Sequence, residues 1–192
     1  RIREAQFKEK SGLQADQLYG RFVMDSVKLQ LPDICLRTPY SQLQATVDMD
    51  MNAFDEVKPG KLMAQLKGAL GRSDLFLFAG DAFPSAMKKK WPFYPMKIEG
   101  SFKGNMQQAS FSGLKLSLPT AFELSADGKV GNLTDMNRLK ANVDLNARTY
   151  HLDFITAMLD PSLMQEIRVP SGIGIRGNIQ ADGSRYATRL AI

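Results

Sequence analysis

Cys35 and His151 are the only cysteine and the only histidine in the chain, so they are the one pair that could form a thiolate–imidazole couple. Such a nucleophile needs its base within hydrogen-bond reach. His151 opens a predicted helix with no recognisable partner beside it. Cys35 stands on a strand between Ile34 and Leu36, which share the opposite face. A single cysteine excludes an internal disulfide and any multi-cysteine metal site. Asp48 and Asp50 share one strand face, but it is the wet one, where two acids serve solubility. Lys88-Lys89-Lys90 before Trp91 is the one tight basic cluster and reads as a solvated helix end. The formal charge of +5 is too small and too scattered to indicate nucleic acid. The chain carries no metal-spaced His/Cys/Asp set, no Gly-rich phosphate loop and no nucleophile elbow. These residues assign no catalytic group, metal or cofactor, and point away from an enzyme. Function must come from the surfaces that the backbone elements build.

Those elements announce themselves by a period of two. Hydrophobic residues make up 44% of the chain, enough to fold, and they alternate with polar ones. In Gln42–Met51, Leu43, Ala45, Val47, Met49 and Met51 interleave with Gln42, Gln44, Thr46, Asp48 and Asp50. The segment 139–149 reads the same way, and similar strands are predicted over 62–70, 96–103, 122–130 and 173–182. Successive side chains of a strand point to opposite faces, so each strand has one greasy and one wet side. That is the signature of a half-buried antiparallel sheet.

Two departures from the period are informative. Ala109 and Phe111 set one phase, and Leu114, Leu116 and Leu118 set the other, so the phase flips across Ser112-Gly113. One extra residue restores the apolar face, which predicts a β-bulge. The segments 74–90 and 152–167 instead carry apolar residues at helical spacing. Each contains a proline, Pro84 and Pro161, that predicts two short helices with a kink.

The chain also repeats itself. Pro84-Ser85-Ala86-Met87 and Pro161-Ser162-Leu163-Met164 stand at an offset of 77, which also aligns Leu62 with Leu139, Leu75 with Leu152 and Gly100 with Gly177. Upstream, an offset of 80 aligns Gly20 with Gly100, Leu36 with Leu116 and Pro39 with Pro119. The expected organisation is a first unit over 1–92 with a helical insertion near 74–90, a second over 93–170 with an insertion near 152–167, and the start of a third over 171–192. The alternation Tyr186, Thr188, Leu190, Ile192 runs into the last residue, so the chain reads as a segment of a longer protein. Repeats of this size suit stacked, open-ended architectures whose function lies on an extended surface.

The residues expected on the shared apolar face are Leu43, Ala45, Val47 and Met49; Leu62, Ala64 and Leu66; Met96, Ile98 and Phe102; Phe111, Leu114 and Leu116; Phe122 and Leu124; Leu139, Val143 and Leu145; and Ile173 and Ile175. No charge interrupts these stripes. Ten strands spaced ~4.8 Å apart, each with an apolar stretch of ~25 Å, would present on the order of 1,200 Å² of such surface. Monomers rarely leave more than a few hundred Å² bare. Either a second sheet covers it in a sandwich, or the sheet closes into a barrel, or a curved open sheet holds acyl chains. The pattern alone leaves these open.

The Gly-Xaa-Phe segment, followed by Phe111-Ser112-Gly113-Leu114-Lys115-Leu116 and an alternating strand, resembles the AsmA-like group of envelope proteins. Asn132-Leu133-Thr134-Asp135, Tyr150-His151-Leu152-Asp153-Phe154 and Pro170-Ser171-Gly172-Ile173-Gly174-Ile175 are similar to the TamB-like proteins of Bacteroides-type bacteria. The resemblance covers nearly the whole chain. It implies a mainly β fold of repeated antiparallel units with short helical insertions, forming a curved open sheet or taco-like groove, with the closed β-sandwich as alternative. It further implies a periplasmic protein anchored in the inner membrane by a helix outside this chain. Its apolar groove would carry phospholipid acyl chains between the inner and outer membranes, along the stripe residues named above. An outer-membrane barrel partner of TamA type would be engaged through other parts of the protein. The alternative role is a scaffold for outer-membrane barrel assembly that receives client strands at its sheet edges.

Overall fold

The computed structural model describes residues 2–8, 12, 14–55, 57–80, 83–105, 107–132, 135–156 and 172–192. Twelve strands form one sheet: β1 (Ile2–Lys8), β2 (Gln14–Gly20), β3 (Val23–Met24), β4 (Lys28–Arg37), β5 (Gln42–Asp50), β6 (Leu62–Leu70), β7 (Met96–Gly104), β8 (Gln108–Leu118), β9 (Phe122–Gly131), β10 (Lys140–Thr149), β11 (Gly174–Asp182) and β12 (Arg185–Ala191). Eleven of them lie side by side in chain order, each antiparallel to the next, and the two-residue β3 pairs with β4 off this path. The sheet is curved and open, with β1 and β12 at the two ends of the strand order. Antiparallel neighbours in chain order are what short connections between alternating strands produce. The pairing runs without a break through β6–β7 and β10–β11, where the unit boundaries were placed.

The alternation locates the strands closely. Leu62–Leu70 coincides with its prediction, and β5, β7, β9, β10 and β11 differ from theirs by a residue or so at the ends. The bulge stands where the phase flips: in β8 the register against β9 slips between Phe111 and Leu114, with Gly113 at φ 58°. A second bulge breaks β4 against β5 between Leu31 and Ile34, at the offset of 80. A turn recurs at the same offset. Asp25 N–H donates to the Lys28 carbonyl at 3.0 Å, and Asn105 N–H to that of Gln108 at 2.9 Å. The bulge and the turn make the offset of 80 a property of the backbone as well as of the sequence.

The first helical insertion is two helices, α1 (Arg72–Ala79) and α2 (Ser85–Lys90), with Pro84 at the N-cap of α2. The break at the predicted proline follows from its missing N–H and fixed φ. The second insertion contributes α3 (Asp153–Thr156), between β10 and β11, as α1 and α2 lie between β6 and β7. Pro161, and with it the expected equivalence to Pro84, lies outside the described residues. The helices gather one compact dry cluster, Leu75, Trp91, Met96, Leu118, Ala121 and Phe154, against which Leu70, Phe76, Phe83, Met87, Phe122 and Leu152 pack. Its aromatic rings meet edge to face, with Trp91 and Phe154 centroids 4.9 Å apart. Leu70, Met96, Leu118 and Phe122 are strand ends on the apolar face, so the described helices cover one rim of that face.

Asp74 ties this rim together. It is buried, and its carboxylate accepts hydrogen bonds from the hydroxyls of Thr38 and Ser41 in the β4–β5 turn. Ser41 Oγ in turn accepts from Gly71 N–H, at the start of α1, at 2.9 Å. A buried carboxylate that answers two hydroxyls escapes most of its desolvation cost.

Candidate functional site

Strand register sorts the apolar side chains into rows that cross the sheet. The middle row runs Ile34, Ala45, Leu66, Gly100, Leu114, Ala126, Leu145, Gly177, Leu190 from β4 to β12. Gly20 on β2 extends it beside Ile34. Small and large residues alternate at every step. Ile34, Leu66, Leu114 and Leu145 are each flanked by Gly or Ala on both neighbouring strands, and so can lean sideways rather than stand off the sheet. A β-carbon at Gly100 would stand 3.1 Å from Leu114 Cα, and one at Gly177 would stand 1.8 Å from the Arg189 carbonyl oxygen. The glycines therefore also let strands approach closely.

Two further rows flank it. One holds Leu31, Val47, Ala64, Phe102, Phe111, Gly128, Val143 and Ile179. The other holds Leu36, Leu43, Gly68, Ile98, Leu116, Leu124, Ala147 and Ile175. None of the three carries a charged side chain. Of the residues singled out from the sequence, Met49 and Leu62 pair at the loop side of the same face. Leu139 and Ile173 stand just before β10 and β11. Met96 and Phe122 occupy the helix-covered rim, where Met96 is part of the dry cluster and Phe122 packs against it, so protein covers them.

The three rows are neither core nor ordinary surface. Their large side chains are half-buried, while the polar residues between them, such as Gln44, Gln65, Lys103 and Asp144, are exposed. No second sheet lies over them among the described residues. The accessible surface of the chain is 13224 Å², against about 9,100 Å² expected for a compact protein of this mass. A sandwich would have buried these rows. Their burial comes only from lateral neighbours in the sheet.

The opposite face is polar and is hollowed between its side chains. One of about 660 Å³ lies over β4–β8, lined by Tyr19, Cys35, Gln44, Gln65, Lys67 and Glu99 and bounded by the two bulges. Lys67 and Glu99 approach to 4.0 Å across it. Cys35 lies on this face, as its position between Ile34 and Leu36 requires. It is nevertheless buried, so a place on the polar side does not leave this thiol open to solvent. Tyr19 on β2 pairs opposite it, and their side-chain hydrogen bond holds the Tyr19 hydroxyl above its usual pKa, with the Coulombic interaction between the two groups adding to the shift. His151 is exposed at the far rim, so the one conceivable catalytic pair is not assembled.

Sequence reasoning missed the Thr38–Ser41–Asp74 network, because only the fold brings a strand turn to a helix start. It also missed the cross-strand alternation of residue size. That order needs the register, although the glycines at matching repeat positions were its visible trace. No helix among the described residues is long and apolar enough to cross a membrane. No family model, curated protein or solved structure matches the chain.

Proposed function

We propose that this chain is a segment of an envelope lipid-transfer protein of the AsmA-like or TamB-like kind, which carries phospholipid between inner and outer membranes with its acyl chains against the apolar rows. The observation that carries this reading is the set of three uncharged rows, half-exposed and without a second sheet over them among the described residues, crossing the sheet from β4 to β11. Hydrocarbon is the solvent such a surface matches, since a charge in its path would cost several kcal/mol. An acyl chain of about 16 carbons gains roughly 0.8 kcal/mol per buried CH₂, on the order of 13 kcal/mol gross. Spread along a repeating face, that gain holds a lipid without fixing it at one station. Periplasmic location, an inner-membrane anchor and a barrel partner of TamA type belong to the same proposal and involve other parts of the protein.

The unclosed sheet favours a second reading, in which it accepts client strands during barrel assembly by β-augmentation. The two are separated by a photo-crosslinking residue placed in the protein in cells. At Leu66 or Val143 it should capture phospholipid, and at Gln65 or Asp144 it should not. Val143→Asp should interrupt transfer with modest loss of stability, because an open face lets the carboxylate hydrate. No lipid at either apolar position, together with unfolding by Val143→Asp, would sink the lipid reading.

A further inference from the structure

At the rim opposite the helices, two loops carry an unusual load of bare apolar side chains. The β2–β4 loop exposes Phe22, Val23, Met24 and Val27, and the β5–β6 loop exposes Met51, Phe54 and Val57. Phe54 is 64% and Val57 80% accessible. Seven large apolar residues on adjoining loops exceed the scattered exposure normal for a soluble surface.

These loops are built rather than loose. Met51 N–H donates to the Val27 carbonyl at 2.8 Å and joins them. Asp25 accepts from the N–H groups of Val27 and Lys28, and Asp55 from those of Val57 and Lys58, all at 2.7–2.8 Å. Asn52 Nδ2 donates to the Lys58 carbonyl at 2.9 Å. The backbone therefore holds the apolar tips outward in a fixed arrangement.

We infer that these tips dock into the interfacial zone of a phospholipid bilayer. Three observations select a bilayer over a protein partner. The residues are exposed on turns at the rim of the sheet, where side chains can enter an interfacial zone together. Among the described residues of the two loops the charges are sorted. Asp25, Asp50 and Asp55 are engaged by backbone N–H groups of the loops themselves, whereas Lys58 and Lys61 are exposed beside the tips, where ammonium groups meet lipid phosphates. The patch is also continuous with the apolar rows. Met24 pairs with Leu29, Leu29 with Met49 and Met49 with Leu62, while the Met51–Val27 bond extends that ladder to the loop. In this last respect the inference rests on the lipid reading above: a chain leaving the bilayer at this rim would meet no polar barrier before the sheet.

The test is co-sedimentation of the protein with vesicles of phosphatidylethanolamine and phosphatidylcholine. The wild type should bind, with little weakening as salt is raised, because apolar insertion dominates. Phe54→Asp with Val57→Asp should lower partitioning by about tenfold or more. Phe93→Asp, equally exposed on the helix rim, should leave it unchanged. Where the double variant is unfolded by circular dichroism, Val57→Cys in a Cys35→Ala background carries an environment-sensitive dye, which lipids brominated in their acyl chains should quench. Absent vesicle binding, equal loss from Phe93→Asp, or concentration-dependent self-association abolished by the loop variants would overturn the inference; the last outcome would assign the patch to a second copy. Lipid capture at Leu66 and Val143 is measured separately, so the docking site can fail while the apolar rows stand.

Discussion

The ring of Phe111 on β8 lies against the backbone of Gly128 on β9. A β-carbon at Gly128 would stand 3.0 Å from Phe111 Cζ and 2.7 Å from the Asn142 carbonyl oxygen on the other side. The aromatic ring occupies the space a side chain at position 128 would need, and so covers a stretch of strand that has no side chain of its own.

Gly128→Val should therefore overpack the sheet between β8 and β10. The expected loss is about 1–3 kcal/mol, read as a lower urea midpoint with an unchanged slope. Gly174, where an added β-carbon meets nothing within 4 Å, is the control. Gly174→Ala should leave the midpoint nearly unchanged.

The helix-covered rim and the open rows should respond differently to truncation. Leu118 is 1% accessible in the dry cluster, so Leu118→Ala should cost about 2–5 kcal/mol through lost burial and a cavity. Leu145 is half-buried on the open face, and Leu145→Ala should cost about 1 kcal/mol, the area term without an enclosed cavity. Equal costs in chemical denaturation would mean that the rows are covered as tightly as the cluster.

The loop carboxylates give the fold an acid limb. Asp25 accepts backbone N–H bonds from Val27 and Lys28, which hold its pKa below the ordinary 3.8; Asp55 is lowered in the same way by Lys58 and Val57. A lowered folded-state pKa contributes stability that is present above the unfolded value and is lost as pH falls through the folded one. Stability should fall with acid below pH 3.8 in part through these two groups. Asp25→Asn should remove its share of that acid dependence while keeping the turn, because Asn105 makes the same bonds to Gln107 and Gln108 at the equivalent repeat position. Carboxyl titration by NMR, with melts across the acid range, checks both the sign and the rescue.

The amino-acid sequence by itself determined the strands β5 to β11 and their faces. Alternation is a local property: the period of two decides which side chains share a face whatever lies beyond the strand, as Leu43 to Met49 and Ala141 to Ala147 illustrate. The bulge at Ser112-Gly113 and the helix break at Pro84 were legible for the same reason, since each is written in the phase or the ring of a few consecutive residues. What covers the apolar face was not legible, because a dry core and a hydrocarbon-facing surface require the same uncharged stripe. Only the tertiary structure decided that the sheet stays open and that the helices cover one rim. Only the register revealed that Ala45, Gly100, Ala126 and Gly177 alternate with larger neighbours, since those partners stand as far apart in the chain as Leu66 and Gly100. The burial of Cys35 had the same origin. Its face follows from its two neighbours, but its exposure depends on Tyr19, a residue of another strand that pairing sets opposite it.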